Sequence, residues 1–123
     1  RAAWDGAFRE VIVWRSLVLL GWSDTVHLID PATRQSHSVS CEGYFGHLYP
    51  LDTRLLIASA SELICLADTC DELWRCKGLG LDGVLVDNVS DGAIHGRGEW
   101  DPPGGWRPFR LDYQTGEPHA VLE

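Results

Sequence analysis

A repeat of about 38 residues constrains the fold of this chain more than any other feature of its sequence. Residues 17–30 align with residues 55–68 at a constant offset of 38 without a gap. Aliphatic residues align with aliphatic residues, and Asp30 aligns with Asp68. Self-similarity at such a period is typical of proteins built from repeated supersecondary units.

A third copy is interrupted. It follows the pattern up to Glu99, resumes at Arg107 and ends at Asp112, which lies 44 residues after Asp68 instead of 38. The six additional residues are residues 100–105. We therefore interpret this segment as an insertion between the second and third strands of the third unit.

Each copy is predicted to contain strands. Its segments are short, rich in Val, Ile, Leu and aromatic residues, and separated by Gly, Asp, Asn and Ser, with no amphipathic run long enough for a helix. Residues 63–67 are apolar at every position, which is typical of a strand buried on both faces. After the third strand of each unit comes an Asp, at positions 30, 68 and 112, whose carboxylate can accept a hydrogen bond from the backbone two residues on.

We predict an all-β fold in a single domain, 1–123, with about twelve antiparallel strands in three four-stranded, propeller-blade-like units, approximately 8–40, 44–77 and 82–122. A β-sandwich or barrel is the alternative. The strands are expected at 8–14, 17–22, 25–30, 35–40, 44–50, 54–60, 62–67, 73–77, 82–88, 92–99, 107–113 and 117–122.

Residues 62–75 resemble the hairpin between the third and fourth strands in β-propeller blades of the quinoprotein (PQQ-like) type. In that family a strand ends in Leu-Asp, a Thr-Gly turn follows, and a Trp, here Trp74, enters the next strand. Residues 109–117 are similar and keep Thr115-Gly116. The resemblance implies the blade fold. It implies no quinone, calcium or catalytic residue, because the motifs for those are absent, and blades of this kind serve many functions.

Propeller rings contain typically four to eight blades, so three units cannot close a ring alone. The outer faces and edges of the first and last units would then lie open to association. Either a two-fold homodimer joins three units from each chain, or the strands form a monomeric sandwich or barrel. The sequence leaves both alternatives open.

Composition limits the classes of partner and compartment. The net charge of −8 disfavours nucleic acid and anionic membranes as partners, since both require a basic surface. No window approaches 18 apolar residues, and no signal peptide opens the chain. The four cysteines, at 41, 65, 70 and 76, lack C-x-x-C spacing, so we predict free thiols and a cytoplasmic location, with an extracellular disulfide framework as the alternative. We also predict a bacterial source.

The insertion is the strongest candidate for a binding site. In a meander it lies at the same end as residues 40–44 and 77–82, so the predicted binding residues are Trp100, Asp101, Trp106, Arg107 and Tyr44. The two Trp side chains offer flat contact surface, and the prolines and glycines between them limit the loop's freedom. The alternative is that the Trp pair folds back as a lid over the core.

Catalysis has weaker support. Glu99 and Asp101 are candidates for a paired acid and base in a small hydrolase, but residues at this spacing near a turn are usually caps or solvated charges. Arg97 and Arg107 flank these acids and are expected to pair with them. The five His residues show no metal-ligand spacing, so no metal and no cofactor are predicted.

The leading hypothesis is a non-enzymatic interaction module that presents residues 100–107 to a protein or a small ligand. The alternatives are the small hydrolase and a loop that serves only self-association.

Overall fold

The computed structural model describes residues 9–100 and 105–119, and these residues form twelve β-strands and no helix. None of their segments is therefore a helix long and apolar enough to cross a bilayer. The strands are β1 (Arg9–Trp14), β2 (Leu17–Trp22), β3 (Thr25–Asp30), β4 (Gln35–Ser40), β5 (Phe45–Pro50), β6 (Arg54–Ser59), β7 (Leu63–Ala67), β8 (Glu72–Cys76), β9 (Gly83–Ser90), β10 (Ala93–Trp100), β11 (Gly105–Asp112) and β12 (Pro118–His119).

The strands form three four-stranded antiparallel meanders, which we call sheet 1 (β1–β4), sheet 2 (β5–β8) and sheet 3 (β9–β12). The predicted all-β class, with twelve strands in three four-stranded units, is confirmed. The strands of the described ranges form three separate sheets and no closed barrel. Residue 8 of the first predicted strand and residues 120–122 of the last lie outside the described residues.

Sheet 2 lies between the other two sheets and is buried on both faces. Leu55, Leu56, Ile57 and Ala58 of β6 are all 0% exposed, as are four consecutive residues of β7. Leu55 and Ile57 pack against sheet 1, while Leu56 and Ala58 pack against sheet 3. This explains why β6 and β7 are apolar at every position instead of alternating.

Hydrogen bonds between successive sheets hold their first strands together. Trp14 Nε1 of sheet 1 donates to the Leu51 carbonyl at the end of β5, at 2.7 Å. The Val86 N–H of sheet 3 donates to Tyr49 Oη of sheet 2 at 3.1 Å. These bonds satisfy polar groups that the packing of sheet on sheet would otherwise bury without partners.

From sheet 1 to sheet 2 the structural repeat is 37 residues long, not 38. The inward-facing pair Leu19–Leu28 of sheet 1 corresponds to Leu56–Cys65 of sheet 2, and both members are 37 residues further on. The gapless alignment instead matched Leu28 with Leu66, whose side chain packs against sheet 1 on the opposite face of sheet 2 from Cys65. Because side chains alternate between faces, a shift of one residue assigns every side chain to the wrong face. The alignment was therefore wrong by one residue, although the strands were correctly predicted.

In the turn after the third strand, the Asp carboxylate accepts a backbone hydrogen bond, as predicted, in two of the three units. Asp30 Oδ1 accepts the Ala32 N–H, and Asp112 Oδ1 accepts the N–H groups of Gln114 and Thr115. The two backbone donors at this turn lower the pKa of Asp112 below its usual range. Asp68 differs, because its Oδ2 lies 3.4 Å from Arg15 Nη2 of sheet 1.

The junction between sheets 2 and 3 is filled at its outer side by Trp74 of β8. The Trp74 Nε1 donates to the Tyr113 carbonyl at 3.0 Å, and the indole ring lies against Gly116 in the next turn. At the junction of sheets 1 and 2, the residue at the Trp74 position is His37, since His37 pairs with Leu28 as Trp74 pairs with Cys65. The residue at the Gly116 position is Cys70, which shares its positive φ. An open cleft of about 540 Å³ remains there.

Candidate binding site

The predicted insertion extends a hairpin. β10 and β11 pair over eight residues, and the last pair joins Trp100 to Gly105. The first and last residues of the insertion therefore belong to strands. Residues 101–104, which include the predicted site residue Asp101, lie outside the described residues.

The side chains of Trp100, in the insertion, and Trp106, directly after it, point to opposite faces of sheet 3. Trp106 pairs with Glu99, so both lie on one face, whereas Trp100 follows Glu99 directly and lies on the other. The binding role predicted for Trp100 and Trp106, and the alternative of a lid over the core, stay predictions. Trp106 is 44% exposed, and Trp100 is half-buried. Strand alternation separates them, and only Trp106 shares a face with Glu99.

Three segments meet at this end of the molecule, as the meander predicts. Leu81 and Asp82, in the connection from β8 to β9, both donate their N–H groups to the Glu99 carbonyl, at 2.7 and 3.1 Å. Tyr44, in the connection from β4 to β5, donates its hydroxyl to the Asp82 carbonyl at 2.6 Å. Burial, followed by the negative charges of Asp82 and Glu99, raises the pKa of Tyr44. The phenol is therefore neutral at physiological pH.

A buried carboxylate anchors the connection that carries Tyr44. Glu62 is 0% exposed, and its Oε1 accepts the Glu42 N–H at 2.6 Å and Arg75 Nη1 at 3.1 Å. Arg75 Nη1 also donates to the Ser40 carbonyl at 3.0 Å. A charge buried with two charge-assisted bonds holds backbone geometry firmly, so this cluster fixes the position from which Tyr44 extends.

Next to this cluster, burial and then the Glu62 carboxylate raise the pKa of Cys41 to about 11. All four cysteines are free in the structure, and burial is the first cause of a raised pKa for each. The thiolate is the reactive form of cysteine, so none of the four is poised as a nucleophile.

A pocket of about 180 Å³ opens where these segments meet. Trp106 forms one wall, with its ring beside Gly83. Glu99 supplies a carboxylate to the same pocket. The remaining lining comes from sheet 2 and from β9, with Tyr44, Gly46, His47, Ser59, Asp82, Val84 and Leu85.

Arg97 supports Trp106 from the same face of sheet 3. Its guanidinium lies 5.7 Å from the centre of the indole ring and pairs with Asp87, with nitrogen–oxygen distances of 2.9 to 3.2 Å. The bonds to Asp87 raise the pKa of Arg97. The predicted pairing of Arg97 with Glu99 is therefore wrong, because the Arg97 guanidinium forms its ion pair with Asp87 on β9. Arg107, also predicted as a binding residue, is exposed, and its neighbour Trp106 lies on the other face.

The pocket does not hold an assembled nucleophilic site. Ser59 Oγ accepts the N–H groups of Glu62 and Ser61 at 3.1 and 3.4 Å, which engages it in the β6–β7 turn. His47 Nδ1 lies 3.4 Å from Glu10 Oε1. Among the described residues, no group of three His, Cys, Asp or Glu side chains could hold a metal ion.

Sequence reasoning identified Tyr44, Glu99 and Trp106, and the structure brings these three together. It missed His47, Ser59 and Leu85, which belong to strands that read as ordinary parts of their sheets. Their contribution depends on how sheet 2 packs against β9, and no local pattern carries that information.

No protein-family model matches this chain, and no curated protein matches it. The function is therefore argued from the geometry of the site.

Proposed function

We propose that this protein is a non-enzymatic binding module that accepts a basic side chain of a partner protein in the pocket between Tyr44, Glu99 and Trp106. The observation that carries the proposal is the convergence of two aromatic side chains and one carboxylate from separate segments around one small pocket. Aromatic faces attract cations, and a carboxylate pairs with them.

Size and charge support this class of ligand. The pocket volume of about 180 Å³ lies below the roughly 300–1,000 Å³ of sites for drug-sized molecules, so it suits one side chain. Glu99 and Asp82 are the acids of the lining, and the chain has a net charge of −8. Such a field attracts cationic partners and repels anionic ones.

The test is a titration with N-acetyl-arginine amide and N-acetyl-lysine amide, followed by backbone and indole N–H chemical shifts. We expect saturable shifts of Gly83, Leu85 and the Trp106 indole, with at least tenfold weaker binding for Glu99→Gln and for Trp106→Ala. Trp22→Ala is the matched control, because Trp22 on sheet 1 is 42% exposed against 44% for Trp106. Unchanged affinity in Glu99→Gln, or shifts centred elsewhere, would contradict the proposal.

Two alternatives are tested with the same variants. A small hydrolase would use Glu99, which lines the pocket, with Asp101, and its turnover of generic glycoside and ester substrates would vanish in Glu99→Gln. A loop that serves only self-association would change its sedimentation in Trp106→Ala without any effect on the arginine titration.

We also propose that the three sheets are blades of the quinoprotein type. The three meanders and the contact of Trp74 with Gly116 of the next unit support this. The four free thiols support a reducing, cytoplasmic environment. A bacterial source stays a prediction.

A further inference from the structure

A second cleft, of about 480 Å³, lies on sheet 3, and we call it the sheet 3 cleft. It is formed by β9, β10 and β11 and shares no residue with the pocket around Trp106. Its volume falls in the range of roughly 300–1,000 Å³ that is typical of sites for small organic molecules. Its polar side chains are Asp87, Asn88, Ser90, His95, Arg97 and Arg110.

Two central strands of sheet 3 direct a polar pair away from sheet 2. In sheet 2 a cross-strand pair on the face toward the next sheet, Leu56–Cys65, is apolar and belongs to the core shared with sheet 3. In sheet 3, His95 pairs with Arg110, while the next residue, Leu111, belongs to that same core. Because side chains alternate along a strand, His95 and Arg110 face the side away from sheet 2.

Arg110 carries a hydrogen-bond donor that the described residues leave unused. Its side chain is half-buried, and its Nε is shielded from solvent without a hydrogen-bond partner. A buried donor without an acceptor costs free energy, and in folded proteins such a donor often marks the place of a water, an ion or a ligand. Arg110 lines the sheet 3 cleft, so a molecule in the cleft can supply the acceptor.

The acids beside Arg110 already have cationic partners. A β-bulge makes Asp87 the extra residue of β9, and Asp87 forms its ion pair with Arg97. Asp112, two residues after Arg110, lies 3.6 Å from His119. Among the described carboxylates, none forms an ion pair with Arg110. The cleft therefore contains one guanidinium whose charge is not balanced by these acids.

We infer that the sheet 3 cleft binds a small organic carboxylate, whose oxygens accept hydrogen bonds from the Arg110 guanidinium. The planar fork of N–H groups in arginine matches the two oxygens of a carboxylate. His95 pairs with Arg110 on one side and with Asn88 on the other, so the row can offer further N–H donors to the same ligand.

Charge and shape limit the ligand further. One unbalanced cation suits one negative charge, and the net charge of −8 disfavours a dianion such as a phosphate monoester. Pro108 and Phe109 also line the cleft. They provide apolar surface beside Arg110, so the ligand is a carboxylate that carries an apolar ring or chain.

The charge requirement is tested on the unaltered protein with benzoate, and with benzamide as the matched uncharged control. We expect saturable chemical shifts of the Arg110 Nε–H and of the His95 and Gly96 amides, with a dissociation constant of about 1 mM or below for benzoate. Benzamide should bind at least tenfold more weakly. Equal affinities for the two, an absence of saturable shifts, or tighter binding of inorganic phosphate than of benzoate would overturn the inference.

The position is tested with Arg110→Gln, which should weaken benzoate binding at least tenfold. Arg107→Gln is the control, because it removes the same charge from the same strand on the opposite face and should leave the affinity unchanged. Far-UV circular dichroism checks that both variants are folded. Unchanged affinity in Arg110→Gln, or an equal loss in Arg107→Gln, would refute a site at Arg110.

Discussion

Trp74 and Gly116 act together at the junction of sheets 2 and 3. A side chain at Gly116 would overlap the indole ring, so the ring can lie flat only because this turn residue is glycine. Gly116 also has a φ of 73°, which glycine adopts without strain. At the first junction both residues differ, with His37 and Cys70 in these places. Because a Cβ at Gly116 would overlap the indole of Trp74, we expect the Cβ of Cys70 to exclude a Trp ring at position 37 in the same way. The open cleft there follows from two substitutions, not one.

Replacing these residues changes stability in a predictable direction. We expect Trp74→His to lower the free energy of unfolding by about 2–4 kcal/mol, because it removes a buried ring and its hydrogen bond. We expect His37→Trp/Cys70→Gly to raise it by about 1 kcal/mol through burial of the new ring. Urea denaturation measures both values. The control is His37→Trp alone, and a gain equal to that of the double variant would refute the role given to Cys70.

Strand β10 allows the connection from β8 to β9 to lie directly on its surface. A methyl group at Gly98 would overlap the Leu79 carbonyl, and Leu81 and Asp82 bind the carbonyl of the next residue, Glu99. Glycine usually weakens a strand, and here it permits close approach of another backbone. The same contact places Asp82 under the Tyr44 hydroxyl, so the site depends on this strand.

We expect Gly98→Ala to lower the free energy of unfolding by about 2 kcal/mol or more, because backbone must move to relieve the overlap. It should also weaken arginine binding, since the connection that carries Asp82 is displaced. Gly83→Ala in the same sheet is the matched control for stability. A methyl group there would lie 3.5 Å from Trp106 Cη2, an ordinary contact distance, and we expect a change below about 1 kcal/mol. Equal effects in urea denaturation would contradict the argument.

Sheet 2 joins the molecule into one unit because each of its faces completes a different core. Leu56 belongs to the core shared with sheet 3, and Ile57 belongs to the core shared with sheet 1. Neither outer sheet can lose its contact without exposing an apolar face of sheet 2. Cooperative unfolding of the whole chain follows from this arrangement.

We expect Leu56→Ala and Ile57→Ala each to cost about 2–5 kcal/mol and to lower one common unfolding transition. Intrinsic Trp fluorescence and far-UV circular dichroism should report the same midpoint in thermal unfolding. Val13→Ala, at a position that is 75% exposed, should change stability by less than about 0.5 kcal/mol in the monomer. Two separate transitions in either core variant would show that the sheets unfold independently.

The sequence predicted the strands, their order and the shared end of the three site segments. These features depend on local information, namely the distribution of apolar residues, the turn residues and the alternation of strand direction. Alternation of strand direction alone predicts that Tyr44 and Glu99 lie at the same end of the molecule. The alignment of the repeats failed by one residue, because strands that are apolar on both faces contain no alternation to set the register.

The packing of sheet on sheet decided everything that joins residues distant in the chain. It placed His47 and Ser59 in the same pocket as Glu99, and it paired Arg97 with Asp87 instead of with Glu99. Strand pairing separated Trp100 from Trp106, although both belong to one conspicuous segment. Local patterns specify which residues form a strand, whereas register and burial arise from contacts between segments, so the pocket became visible only in three dimensions.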